Sequence, residues 1–246
     1  MSVVAVAGAR GRLGSLVCQI IEEHPAFTLG AQLSSASTPE AGAEAQVLFD
    51  VSHPDASPEI VERALRRGQR VIIGTSGWSA NRLAALETVI AEHPGSAVIV
   101  VPNFSLGSVL GTALAAIAAP YFGSVEIIES HHPNKVDSPS GTAVRTAEVI
   151  AATRDARGKA PIEAPFAEQP ARGELIAGIP VHSLRLAGVI AKQEVRFGGS
   201  GEVLSITHDT HSNDSYRAGI RAALEAIGTA EGLTVGLDRV LGISLA

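Results

Sequence analysis

Between Glu129 and Ala143 the chain reads E-S-H-H-P-N-K-V-D-S-P-S-G-T-A, so one short segment carries two adjacent histidines, a lysine, an aspartate and a Ser-Pro-Ser-Gly-Thr turn. A histidine holds a transferable proton near neutral pH. A lysine ammonium is a mobile point charge that binds anions and can give up a proton. Lys135 stands out because Lys135, Lys159 and Lys192 are the only lysines in a chain whose other basic residues are arginines. The end of the segment has a different use. Ser138 or Ser140 is placed to cap a helix, with Pro139 near its first turn. The amides of Gly141 and Thr142 then point outward from a positive helix terminus, a seat for a carboxylate or a phosphate.

The elements around the segment follow from its flanks. Val125–Ile128 reads as a strand and Ala143–Ala152 as a helix, so the motif is a strand-to-helix connection, where α/β proteins place their chemistry. Further toward the N-terminus, strand and helix alternate. Strands are expected at Val3–Ala7, Phe27–Leu33, Gln46–Val51, Arg70–Ile73 and Ala97–Val101, with helices at Leu13–Glu22, Pro58–Arg67 and Asn81–Ala91. That alternation predicts a Rossmann-type, doubly wound parallel sheet. After Asn103 the pattern changes. A helix is expected over Leu106–Ala119, a long exposed loop over Arg157–Gly173, and strands at Val181–Leu186, Val189–Val195 and Val203–His208. These closely connected strands predict a second α+β domain with a mixed or antiparallel sheet. A helix over Ser215–Ala230 and a segment at Leu237–Leu241 return to the first domain. The expected division is residues 1–104 with 212–246 as the dinucleotide-binding domain, and 105–211 as a second domain, to which the family resemblance given below adds substrate binding and oligomerisation.

A second glycine-rich segment lies between the first strand and helix. Gly8-Ala9-Arg10-Gly11-Arg12-Leu13-Gly14 has the spacing G-x-x-G-x-x-G, looser than G-x-G-x-x-G, at the place where a pyrophosphate would rest on a helix N-terminus. An NAD-selective site would carry a carboxylate at the end of the second strand. Here that end reads Gln32-Leu33-Ser34-Ser35-Ala36-Ser37. No acidic side chain would repel a 2′-phosphate. Ser34, Ser35 and Ser37 either donate hydrogen bonds to one, with charge from Arg10 or Arg12, or form only a polar turn. Use of NADPH at least as well as NADH is therefore expected.

Composition narrows the rest. The chain has 246 residues, 46% hydrophobic and 18% charged, which is globular. No apolar run reaches membrane-spanning length, and a cytoplasmic protein is expected. A formal net charge of −6 argues against nonspecific nucleic-acid binding. Cys18, the single cysteine, excludes an internal disulfide and reads as a buried helical residue. The histidines show no zinc-ligand spacing. His53 is read as a turn residue, and His208 and His211, after the last strand, carry no assignment.

The central segment resembles the signature E-x-H-H-x-x-K-x-D-[AS]-P-S-G-T-A of the 4-hydroxy-tetrahydrodipicolinate reductase (dihydrodipicolinate reductase) family, and matches it at every constrained position. The resemblance runs from Val3 to the C-terminal residues, including Gly74-Thr75-Ser76-Gly77, Val101-Pro102-Asn103-Phe104, Gly178–Ser183 and Arg185-Leu186-Ala187-Gly188. It implies reduction of a cyclic imine with two carboxylates by NADPH or NADH, in diaminopimelate and lysine synthesis. It also implies a homotetramer assembled by the second sheet, and a nicotinamide pocket lined by Gly74, Thr75, Ser76, Val101, Pro102, Asn103 and Phe104. On that reaction His131 is the candidate general acid, and Lys135 a second proton donor or a carboxylate anchor. His132, Ser140, Gly141 and Thr142 would contact the substrate. Asp137 orients Lys135 or His132, or caps the turn, the last reading being favoured. A nicotinamide-dependent amino- or imino-acid dehydrogenase and a non-catalytic nucleotide sensor are the alternatives.

Overall fold

The opening run Ser2–Ala7 forms β1, and its last four residues are buried. In the computed structural model, which describes residues 1–243, it is followed by α1 (Arg12–Glu23), β2 (Phe27–Leu33), β3 (Val47–Asp50), α2 (Ser57–Arg66), β4 (Arg70–Ile73), α3 (Ala80–Glu92) and β5 (Ala97–Val100). The central strands are covered on both faces and accordingly read as unbroken apolar runs: Val47-Leu48-Phe49 in β3, Val71-Ile72-Ile73 in β4, Ala97–Val100 in β5. At the edge, β2 is only half-buried, with Thr28 and Gln32 exposed. Cys18 is buried in α1, as expected.

Next come α4 (Leu106–Ala118), β6 (Ser124–His131), α5 (Gly141–Ala156), β7 (Glu174–Ile176), β8 (Ile179–Arg185), β9 (Ala191–Gly199) and β10 (Glu202–Thr210). The chain then forms α6 (Arg217–Ile227), β11 (Gly232–Val235) and α7 (Leu237–Val240). Two compact units result, Met1–Ser105 with Tyr216–Gly242, and Leu106–Ser215. Residues 244–246 of the expected returning segment lie outside the described residues.

The sheet of the first unit has the order β11-β5-β4-β3-β1-β2 and every pairing in it is parallel. The order reverses beside β1, which has β2 on one side and β3 on the other. Ligands of such sheets bind beyond the carboxyl ends of the strands at that reversal. The sheet of the second unit has the order β10-β9-β6-β8-β7 and is mixed: β6 runs parallel to β8 and antiparallel to β9. One of its faces buries Val125, Ile127, Val181, Val195 and Phe197 with Ala143, Ala147 and Ile150 of α5.

Several boundaries differ from the expectation. The strand expected over Val125–Ile128 continues through His131, because Glu129, Ser130 and His131 keep pairing with both β8 and β9. The helix expected from Ala143 begins at Gly141, capped by Ser140, and runs to Ala156. Pro139 therefore precedes the cap instead of lying in the first turn. The later strands shift to Ile179–Arg185, Ala191–Gly199 and Glu202–Thr210. The helix expected over Ser215–Ala230 opens as a 3-10 turn at Asn213–Tyr216 and stops before Gly228. The short strands β7 and β11 were not expected.

Candidate active site

The second unit builds its candidate site at the end of β6. Successive side chains of a strand alternate between faces, so Glu129 and His131 project to the same side. Their contact is close: Glu129 Oε2 lies 2.6 Å from His131 Nδ1. The parallel register sets Ser183 opposite Glu129 and Arg185 opposite His131. Arg185 then reaches back to grip the same carboxylate with both guanidinium arms, Nη1 to Oε2 and Nη2 to Oε1, each at 3.0 Å. The Glu129 side chain is 0% exposed. Burial pushes its carboxyl up, but hydrogen bonds from His131, Arg185 and Ser183 outweigh that and bring it down to about 2.

That environment has a consequence for stability. The carboxyl titrates near 4.5 when unperturbed and at about 2 in the fold, so the folded state gains from its ionisation. The gain is complete above about pH 4.5 and is lost as pH falls toward 2. Linkage puts it on the order of 3 kcal/mol. Glu129→Gln is expected to be less stable than the wild type at neutral pH, with the gap narrowing as pH drops through that window. Urea unfolding at a series of pH values reads this directly, and a gap that stays constant would mean that the carboxylate is not held ionised.

Beyond His131 the chain turns, with Lys135 N–H donating to His132 O at 3.1 Å. Lys135 Nζ lies 2.7 and 2.9 Å from the two oxygens of Asp137. Ser140 Oγ accepts from Ala143 N–H at 3.3 Å, the N-cap bond that starts α5. Asp137 serves on both sides, since its carboxylate also accepts from the Gly141 amide. Burial raises its carboxyl, but the Lys135 bond and charge and the Gly141 amide hold it below the usual carboxylate range. It thus orients Lys135, one of the roles left open above, and occupies the start of α5 as well. His131, Lys135, Ser140, Gly141 and Thr142 all lie along this one connection, with His132 beside them. His208 stands instead against α4, where a Cβ on Gly107 would come within 2.5 Å of its ring. Burial lowers its proton affinity, against a smaller opposing effect of Asp209.

The first unit has its own cavity, of about 420 Å³, at the carboxyl ends of β1, β2 and β3. Gly8, Arg10, Gly11 and Ser34 line it. Gly8 has φ +81°, and a Cβ there would come within 2.3 Å of Val51 O. A Cβ on Gly14 would come within 2.1 Å of Gly8 O. Both glycines are therefore required by close backbone approach. Gly11 is the N-cap of α1 and supplies no side-chain cap, which suits the helix start to an anion. Of the other expected cofactor residues, Arg12 opens α1, Ala9 is buried and Leu13 is half-buried. His53, in its turn, also lines the cavity.

The serine turn is closed on itself: Ser37 Oγ accepts from Ser34 N–H at 2.9 Å and Ser34 Oγ from Ala36 N–H at 3.3 Å. Arg63 and Arg67 of the α2 end also line the cavity. Sequence reasoning missed them, although their i, i+4 spacing on one helix face was a usable signal. The remaining expected residues are not brought to this cavity. Thr75 is buried and donates to Asp50 Oδ2 at 2.9 Å. Asp50 is itself fully buried and also accepts from Ser52 and Ser57. Ser76 and Pro102 are exposed, Asn103 Oδ1 accepts from Ser105 N–H, and Val101 is buried. Phe104 packs against Phe49 and Gly74, where a Cβ would come within 2.6 Å of its ring.

A parallel sheet with this glycine turn, joined in one chain to a mixed sheet bearing a histidine–carboxylate pair, combines a dinucleotide-binding type of fold with a site able to move a proton. The sequence comparisons are more specific. Residues 2–104 match the family described as dihydrodipicolinate reductase, N-terminus, and residues 107–241 match dihydrodipicolinate reductase, C-terminus. The chain belongs to the dihydrodipicolinate reductase family. It is 49% identical over 240 residues to the 4-hydroxy-tetrahydrodipicolinate reductase of Clavibacter michiganensis subsp. michiganensis, covering 98% of this chain and 86% of that protein. It is 43% identical over 247 residues to the same enzyme of Streptomyces coelicolor, covering 98% of each. The dipicolinate-bound dihydrodipicolinate reductase of Paenisporosarcina sp. TG-14 superposes with a TM-score of 0.79 at 30% identity, covering 97% of this chain and 99% of that one. Among the described residues no helix is long and apolar enough to cross a membrane, and no cluster of His, Cys, Asp and Glu could hold a metal ion.

Proposed function

We propose that this chain reduces 4-hydroxy-tetrahydrodipicolinate to tetrahydrodipicolinate with NADPH or NADH, the 4-hydroxyl leaving as water, a reductive step of diaminopimelate and lysine synthesis. The observation that carries the reading is the single β6–α5 connection. It holds a carboxylate-bound histidine, a lysine ammonium and the start of a helix at which the Asp137 carboxylate already sits. That combination suits a small dianion that must also be protonated. The Paenisporosarcina reductase was solved with dipicolinate, a ring with two carboxylates, which is the same class of ligand.

When bound, the nicotinamide supplies the hydride. Its pyrophosphate would rest at the start of α1, where Gly11 offers no side-chain cap and lines the cavity. The protein then has to bind, orient and protonate. His131 gives the proton that must arrive as electron density moves into the ring. Lys135 and the Gly141 and Thr142 amides take a substrate carboxylate, for which Asp137 must make way. His132 and Ser140 complete the seat. A homotetramer and a place in the cytoplasm go with this reading. The apolar stripe Leu110, Leu114, Ile117 and Tyr121, exposed along α4 and the turn after it, supports association.

The test is to measure initial rates of NADPH and NADH oxidation with the hydroxylated imine generated in place by its synthase. Turnover with this substrate and none with an amino acid is the expected result. NADPH is expected to serve at least as well as NADH, because no carboxylate faces the cavity near Ser34 while Arg10, Arg63 and Arg67 line it. A clear preference for NADH would refute that part. Nucleotide binding without turnover would refute the enzymatic reading.

A further inference from the structure

We propose that Glu129 and Arg185 are positioning residues that hold His131 in one tautomer and keep its proton releasable, with His131 taken as the proton donor of the reaction proposed above. The geometry fixes the direction of every bond. An ionised carboxylate only accepts hydrogen bonds, so the hydrogen in the 2.6 Å contact belongs to His131 Nδ1. Nε2 is then the end of the ring that gains and loses a proton. A carboxylate alone in this position would favour the imidazolium and make it a reluctant donor. Arg185 corrects that. Its two arms divide the charge of the carboxylate, and one of them shares Oε2 with the histidine. The trio is neutral when the ring is neutral and carries a single positive charge when the ring is protonated.

The same pair reaches the rest of the connection. Glu129 Oε1 accepts from Ser140 N–H at 3.2 Å, and Arg185 Nη2 donates to Asp137 O at 2.6 Å. One buried ion pair thus sets the histidine, the turn carrying Lys135 and Asp137, and the residue that caps α5. Charged groups on the neighbouring elements leave this assignment intact. On β9, Lys192 lies opposite Ser130 and is engaged by Asp209 of β10 at 3.6 Å. Lys135 and Asp137 neutralise each other. On α5, Arg145 and Glu148 are exposed, and α4 carries no charge.

The experiment follows the His131 ring by NMR across pH, without substrate, using His131→Asn to assign its signal, together with the pH profile of kcat. Glu129→Gln removes the negative partner and is expected to move the His131 midpoint down. Arg185→Met removes the moderating charge and is expected to move it up. Both variants are expected to lose about 10- to 100-fold in kcat, in the range of general acid catalysis, with KM for the cofactor within about twofold of wild type. Glu129→Asp and Arg185→Lys keep the charges with altered reach. They are expected to move the midpoint in the same two directions by less, and they decide the matter if a neutral variant does not fold. Midpoints that do not move, or that move the same way in both series, overturn the proposal. Absence of reductase turnover in the wild type would count against the proposed reaction, while the ring titration would still test the trio.

Discussion

Replacing His131 with alanine is expected to lower kcat by about 10²- to 10⁴-fold, the usual contribution of a positioned proton donor, with cofactor affinity nearly unchanged. Lys135→Ala is expected to fall in the same range and, in addition, to raise the substrate KM, because the ammonium also faces the anion seat. Neither loss can be explained by unfolding. Without His131, Glu129 keeps both arms of Arg185 and the Ser140 amide, so the missing bond to a charged group costs about 1.5–3 kcal/mol. Without Lys135, Asp137 loses a partner at a site where its side chain is 57% exposed, and water replaces it at little cost. Steady-state kinetics and a nucleotide-binding titration on the same preparations separate the effects. Full turnover in both variants would remove the mechanism.

Gly8→Ala is expected to damage fold and cofactor binding together. The backbone at Gly8 has φ +81°, and the added methyl would sit 2.3 Å from a backbone carbonyl oxygen that cannot swing away. Strain of this kind costs on the order of 1–3 kcal/mol before the clash is counted. Any relief has to come from moving the turn whose amides would face the pyrophosphate, so nucleotide affinity falls as well. Gly11→Ala is the control. Its φ of −73° suits any residue, and its methyl would meet only Gly8 O at 3.2 Å. Urea midpoints and nucleotide dissociation constants should therefore rank wild type, then Gly11→Ala, then Gly8→Ala. Equal values for Gly8→Ala and wild type would contradict the geometry.

What sequence could reveal depended on how local the cause was. The turn from β1 into α1 was legible because glycine spacing, an apolar strand and an amphipathic helix lie within one stretch of chain. The β6–α5 connection was legible because its chemistry is contiguous. In contrast, β11 is a four-residue Gly-Leu-Thr-Val segment between Gly232 and Gly236, both at positive φ. It becomes a strand only by pairing with β5, more than a hundred residues earlier. Likewise β7, with three residues, exists only as the partner of β8. The role of Glu129 was half visible. Its i, i+2 spacing from His131 puts both on one face once the strand is carried two residues further, but the Arg185 grip depends on the register of β6 against β8. Similarly, Thr75 was expected at a ligand, and its bond to Asp50 comes from the pairing of β3 with β4.

The return of the chain to its first sheet has a consequence for how the protein is made. The sheet that begins with β1 is finished by β11, and the whole second unit lies between β5 and that last strand. During synthesis the second unit can therefore emerge and fold as a contiguous piece, while the first waits with one edge of β5 unpaired. Until residues past Val235 leave the ribosome, that apolar edge offers open backbone groups, the feature that invites wrong strand pairing. A nascent chain arrested before Gly232 should then be the form most dependent on chaperones, and the form most readily cut within its N-terminal half.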